Sequence, residues 1–234
     1  MAEQINENNA LGFEETLNMG EAFFLKYKNQ IIGCVVAVVL VVAGIICYKN
    51  YIVEPRENAA STALAKGQQL FMEQQFEQAL NGDSISGFAG FLSIASEQSN
   101  TAAGNLANLY AGLCYANLDK WEDAAKYLEQ YDGSDDQMVS PAAIGALGNA
   151  YAHMNQLDKA VSTLKKAAET ANNASLSPVF LIQAAQILES QDKKDDALKL
   201  YEEAKTKYID NMPEAAQSQT RRMNIDAYIE RLTN

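Results

Sequence analysis

Residues 105–131 read NLANLYAGLCYANLDKWEDAAKYLEQY. The pattern returns as PAAIGALGNAYAHMNQLDKAVSTLKKA at 141–167 and as PVFLIQAAQILESQDKKDDALKLYEEA at 178–204. Gly112, Gly148 and Ala185 fall at one place, and Tyr115, Tyr151 and Leu188 follow three residues later. Ala124, Ala160 and Ala197 come nine further on, with Leu128, Leu164 and Tyr201 four beyond. Within each unit the apolar residues keep the spacing of two amphipathic helices. A period of 36–37 residues predicts stacked helical pairs, none of which buries its apolar face alone. A glycine or alanine facing an alanine lets the two helices of a pair cross closely, with tyrosine or leucine filling the space around them. Between the helices stand Asp119, Asn155 and Asp192, and Asn and Asp are the non-glycine residues that best tolerate a left-handed turn. Pro141, Pro178 and Pro213 recur at intervals of 37 and 35, the first two as Ser140-Pro141 and Ser177-Pro178. Serine as N-cap with proline at the first helical position is the expected helix start.

These three units resemble the tetratricopeptide repeat (TPR), and the resemblance covers most of residues 100–205. Three features depart from that family. Asp or Asn stands where it usually has a glycine, Lys194 stands where Trp121 and Leu157 supply apolar bulk, and the period exceeds the family's value of about 34. The resemblance implies a TPR-type α-α superhelical solenoid; with the apolar run near the N-terminus, described below, the expected fold is all-α, one N-terminal transmembrane helix followed by that solenoid. Upstream, Asn58 to Gln78 reads as a helix, a tight turn and the start of another. Asn81-Gly82-Asp83 breaks it, and Gly87 to Gln98 forms a second short helix. The expected organisation is an acidic segment at 1–30, a membrane span at 31–53, a divergent first repeat at 54–104, TPR repeats at 105–212 and a capping helix at 213–234. The last is placed at Pro213 to Leu232 and is polar, with Arg221, Arg222 and Arg231, as a solenoid's terminal face requires.

Residues Ile31 to Cys47, IIGCVVAVVLVVAGIIC, form seventeen consecutive apolar residues. With Tyr48 and Tyr51-Ile52-Val53 the run reaches the roughly 20 residues that cross a hydrocarbon core. The preceding thirty residues carry five Glu and two Lys, which is not the basic leader of a cleavable signal peptide. Lys26 and Lys28 before the run balance Lys49 and Arg56 after it, so flanking charge does not orient the span. Gly33, Ala37 and Gly44 share one helix face and are the expected packing face against another transmembrane helix.

The formal net charge of −12 places −3 on residues 1–30, +1 on Lys49 and −10 on residues 54–234. An acidic domain repels phosphate backbones and anionic headgroups, which argues against nucleic-acid binding and against lying on the membrane surface. Cys34 and Cys47 are thirteen residues apart on one helix and cannot bridge; Cys114 stands alone in the polar part. With one histidine, His153, and no glycine-rich phosphate loop, no catalytic centre, metal site, cofactor or small-molecule substrate is expected. The Asp-Asp pairs at 135–136 and 195–196 read as solvated turn and helix-start charges, and Cys114 and Trp121 as packing residues.

A binding surface remains. In the TPR family the first helix of each pair lines a concave groove. Carried over by alignment, the groove residues are Leu109, Leu113, Ala116 and Asn117, then Gly145, Asn149, Ala152 and His153, then Ile182, Gln186 and Glu189. The first helices, 105–117, 141–153 and 178–190, contain no Lys or Arg. The basic clamp that grips acidic chaperone tails is therefore absent, and the groove suits a helix or an extended, weakly polar segment. The layout of an acidic N-terminal segment ending in GEAFFLKYKNQ, one span and a short TPR domain is similar to the YfgM-like proteins of the bacterial inner membrane, in their Bacteroidetes-type form. That resemblance implies an ancillary subunit of the Sec translocon, cytoplasmic at its N-terminus and periplasmic in its repeats. Its implied partners are the SecYEG translocon and a PpiD-like periplasmic chaperone.

Overall fold

The computed structural model describes residues 26–84, 87–133, 136–210 and 224–233. The chain divides into two units, Met1–Pro55 and Arg56–Asn234. In the first, helix α1 covers residues 26–48 and continues as a π-helical turn, Lys49–Val53. The turn precedes Pro55, whose ring crowds the carbonyl four residues back. Widening the hydrogen bond to Glu54 N–H→Lys49 O relieves that crowding. The apolar residues of α1 are exposed; its most apolar stretch has a mean hydropathy of 3.0 and none of it is buried in the protein. It is long and apolar enough to cross a membrane. Most of the acidic N-terminal segment lies outside the described residues.

The second unit is a run of helices: α2 (Glu54–Met72), α3 (Phe76–Asn81), α4 (Phe91–Glu97), α5 (Ala102–Asn117), α6 (Trp121–Gln130), α7 (Val139–His153), α8 (Leu157–Ala171), α9 (Ser177–Ser190), α10 (Lys194–Glu203) and α11 (Ile225–Thr233). Among the described residues the extended backbone is an isolated bridge between Asp83 and Phe88. Helices α5/α6, α7/α8 and α9/α10 are the three repeats. The capping helix is described from Ile225 on; the rest of its expected span, with Pro213, Arg221 and Arg222, lies outside the described residues.

Each hairpin turns on the same device. Asp119, Asn155 and Asp192 hold φ of 57°, 59° and 59°. The next residue's N–H then reaches back five residues: Lys120→Tyr115 O (2.9 Å), Gln156→Tyr151 O (2.8 Å) and Lys193→Leu188 O (2.9 Å). This is the Schellman closure that satisfies orphan carbonyls at a helix end. Gln74, at φ 61°, makes the same turn between α2 and α3, with Gln75 N–H→Leu70 O at 2.9 Å.

Within the hairpins, Ala124, Ala160 and Ala197 are fully buried, as are Leu164 and Tyr201. A Cβ at Gly112 would lie 2.6 Å from Leu128 Cγ, and one at Gly148 would lie 2.8 Å from Leu164 Cγ. The crossing therefore leaves no room for a side chain at either glycine. Between hairpins, Tyr151 lies in a cluster with Ala124, Ala125, Ala150 and Ala160, so that repeats one and two share a core. The divergent N-terminal helices bury their own aromatic core around Phe88 and Phe91, onto which Tyr110 of α5 stacks at 5.2 Å from Phe91.

The helix starts differ from expectation. Ser140 and Ser177 are not N-caps: α7 is preceded by Met138 and α9 by Leu176. Both serines are buried, and the capping oxygens come from four residues upstream. Asp136 accepts from the N–H groups of Met138 (2.8 Å), Val139 (2.5 Å) and Ser140 (3.1 Å) and from the Ser140 hydroxyl (2.7 Å). Asn173 accepts from the N–H groups of Ser175 and Leu176, while Ser177 donates to Ala168 O. The repeating start signal is thus Asp/Asn-x-x-x-Ser-Pro. Helix α5 is capped by Thr101, which accepts from Gly104 N–H, and by Glu57 of α2, which accepts from the N–H groups of Ala102 and Ala103.

Two predictions follow from these contacts. Gly148→Val gains helix propensity but forces the crossing apart, and should lower stability by about 2 kcal/mol net; thermal melting followed by circular dichroism reads it, and an unchanged midpoint would refute the close-crossing account. The second concerns Asp136, whose carboxyl is held well below the usual range by the Ser140 hydroxyl and then by the Met138 N–H. A depressed folded-state pKa gives stability that is present above the ordinary value of about 3.9 and lost as pH falls through the depressed one. The stability gap between the wild type and Asp136→Asn should therefore shrink from neutral to strongly acidic pH. A gap that is constant with pH would remove Asp136 as its source.

Candidate partner-binding groove

The C-terminal halves of the three first helices line one groove of about 630 Å³. Helix α5 supplies Ala116 and Asn117; α7 supplies Ala146, Asn149, Ala152 and His153; α9 supplies Gln183, Gln186, Ile187 and Ser190; and Trp121 enters from the start of α6. Spacings of three and four within each helix put these residues on one face. Among the described residues, no Lys, Arg, Asp or Glu lines the groove.

The rings of Trp121 and His153 stack face to face, with centroids 3.7 Å apart and planes 4° from parallel. They are the chain's single tryptophan and single histidine. Trp121 is half-buried against the cluster of Ala124 and Ala150, and His153 lies exposed upon it. Two of the amides are committed: Asn117 donates to Leu113 O at 2.8 Å and Gln186 donates to the Tyr228 hydroxyl at 3.2 Å. Gln183 Oε1 is enclosed without a partner.

Ala116, Asn117, Asn149, Ala152, His153 and Gln186 thus come together. The other expected residues do not join them. Leu109 is 6% exposed and packs with Leu128 and Ala143, and Leu113 rests on the same cluster. Ile182 is 8% exposed, in the core around Leu164 and Tyr201. Gly145 lies under the Phe180 ring; a Cβ there would be 2.2 Å from Phe180 Cε1. The N-terminal halves of the first helices are consumed by packing between hairpins, so only their C-terminal halves remain open. Gln183 and Ser190 lie at helical spacing from Gln186, and that spacing was the signal for them. Trp121 carried no such signal, because it belongs to a second helix and reaches the groove only through the turn at Asp119.

Glu189 faces the last helix instead of the groove. It accepts from the Tyr201 hydroxyl at 2.6 Å, and its two oxygens accept from one Arg231 guanidinium nitrogen, Nη2, at 2.8 and 2.5 Å. Burial, then this hydrogen bond, raises the Tyr201 hydroxyl pKa. Tyr228 stacks on Tyr201 at 5.0 Å, so α11 covers the apolar end of the third repeat. A second cavity, of about 610 Å³, lies between the first two hairpins. There the Tyr151 hydroxyl donates to Glu129, and Lys159 sits 3.3 Å from Glu129 and 3.8 Å over the Tyr151 ring. The Tyr151 hydrogen bond, and then Lys159, hold the Glu129 carboxyl below its usual range. The cluster braces one hairpin against the next. Arg231→Ala should accelerate amide hydrogen exchange across α11 and leave α7 and α8 protected; equal exchange in both proteins would show that the Glu189–Arg231 pair does not hold the cap.

No curated protein matches the sequence significantly. Among solved structures, a kinesin light chain with nearly identical TPR-like repeats from Podosopora anserina superposes with a TM-score of 0.53 at 12% identity. The match covers 76% of this chain and 94% of that one. At that identity the likeness establishes the TPR-like repeat fold. Residues 52–227 match the family described as "T7SS, ESX-1 secretion system protein EccA1, N-terminal domain", so the chain belongs to that family.

Proposed function

We propose that this protein is a membrane-anchored, non-catalytic interaction protein of the bacterial inner membrane that assists protein export. The observation that carries the reading is one chain holding both a helix able to span a membrane and a TPR-type array with an open, uncharged groove. In this reading the N-terminus is cytoplasmic and the repeats are periplasmic. The span docks beside SecYEG through Gly33, Ala37 and Gly44, where a Cβ at Gly33 or Gly44 would meet nothing within 4 Å. The groove engages a PpiD-like periplasmic chaperone or an emerging client. A second reading is a scaffold for another cell-envelope machine, whether for secretion or for outer-membrane assembly. It is favoured by the name of the matched family, which is that of a secretion system protein.

Affinity purification from native membranes, with photocrosslinkers at Asn149 and Gly33, separates the two. Translocon and periplasmic chaperone components are the expected neighbours; outer-membrane assembly factors or another secretion complex would replace the first reading by the second. Gly33→Leu should weaken partner recovery while the repeats stay folded. Full recovery with that variant would reduce α1 to a plain anchor.

A further inference from the structure

The groove's chemistry narrows its occupant, on the premise that the groove is a protein-binding site. A carboxylate entering it would meet no cation, and an ammonium or guanidinium no carboxylate, so either would be desolvated unpaired. The indole N–H of Trp121 and the amide of Asn149 make no hydrogen bond to the described residues, and Gln183 Oε1 has none either. Three polar groups without partners in one groove match a backbone that offers its own unpaired groups. An amphipathic helix satisfies its backbone internally and would leave those polar groups unmatched. An extended polyproline-type segment leaves every carbonyl free, and its proline rings lie flat on aromatic faces. The stacked pair of Trp121 and exposed His153 is such a face.

We propose that the groove takes an extended, uncharged, proline-containing segment of a partner protein. A proline sits against the Trp121–His153 pair, and neighbouring carbonyls accept from Trp121 and Asn149. The excess of acidic residues elsewhere in the repeats reinforces the choice, because it disfavours acidic segments approaching the rim.

Trp121 is the only tryptophan, so emission from the full-length protein in detergent micelles reports on the groove alone. The probes are three capped peptides of equal length: one alternating proline with alanine, one with every proline replaced by alanine, and one with aspartate in place of every second alanine. The proline peptide should shift Trp121 emission saturably and bind roughly tenfold tighter than either control. Asn149→Ala should weaken it by roughly tenfold with an unchanged circular dichroism spectrum. His153→Ala should weaken it too, read by anisotropy of a labelled peptide so that altered quenching does not intervene. Equal binding of all three peptides, tighter binding of the aspartate peptide, or no response to the proline peptide up to about 1 mM overturns the proposal. If groove crosslinkers capture a partner in membranes while the proline peptide fails, this inference falls alone; if no partner is captured, the broader reading falls.

Discussion

The close crossing of the two helices in each repeat is the constraint on which the rest of the solenoid depends. Gly112 and Gly148 bring the first helix within contact of Leu128 and Leu164 on the second, and in the third repeat Ala185 and Tyr201 lie in one buried cluster. Because the interior alanines are fully buried, each hairpin is thin and stiff, and its outer faces must be covered by the next hairpin. At the C-terminal end that cover is α11, held through Tyr228, Arg231 and Glu189.

Stacking thin hairpins has a direct consequence for the surface. The N-terminal halves of α5, α7 and α9 are used up in packing between repeats, with Leu109, Gly145 and Ile182 drawn inward. Their C-terminal halves carry alanines and amides that line the groove. The left-handed turn after α5 is what carries Trp121 to that groove and under His153. Burial and chemistry are therefore divided along the length of each helix rather than between helices.

Much of this was legible in the sequence because it is periodic. The recurrence of Gly/Ala, Tyr/Leu and Ala at fixed offsets specified hairpins and their register, and Asp119, Asn155 and Asp192 specified the turns by their tolerance of positive φ. The helix starts were misread, since a serine before a proline looks like a cap. In the fold, Asp136 and Asn173 reach over an extra turn and leave Ser140 and Ser177 buried, donating hydroxyl protons. A side-chain oxygen can cap from several upstream positions, and only the path of the loop selects which one does.

The sequence by itself determined the apolar span, the all-α repeat architecture and the absence of Lys and Arg from the first helices, because these follow from local periodicity and composition. Which residues of those helices are open was decided only in the tertiary structure. Leu113 and Asn149 occupy equivalent places in the alignment, yet one packs, half-buried, against the cluster of Leu109 and Leu128 and the other lines the groove. Helical spacing places a side chain on a face, but whether that face is covered depends on the neighbouring hairpin, whose contacts are distant in sequence.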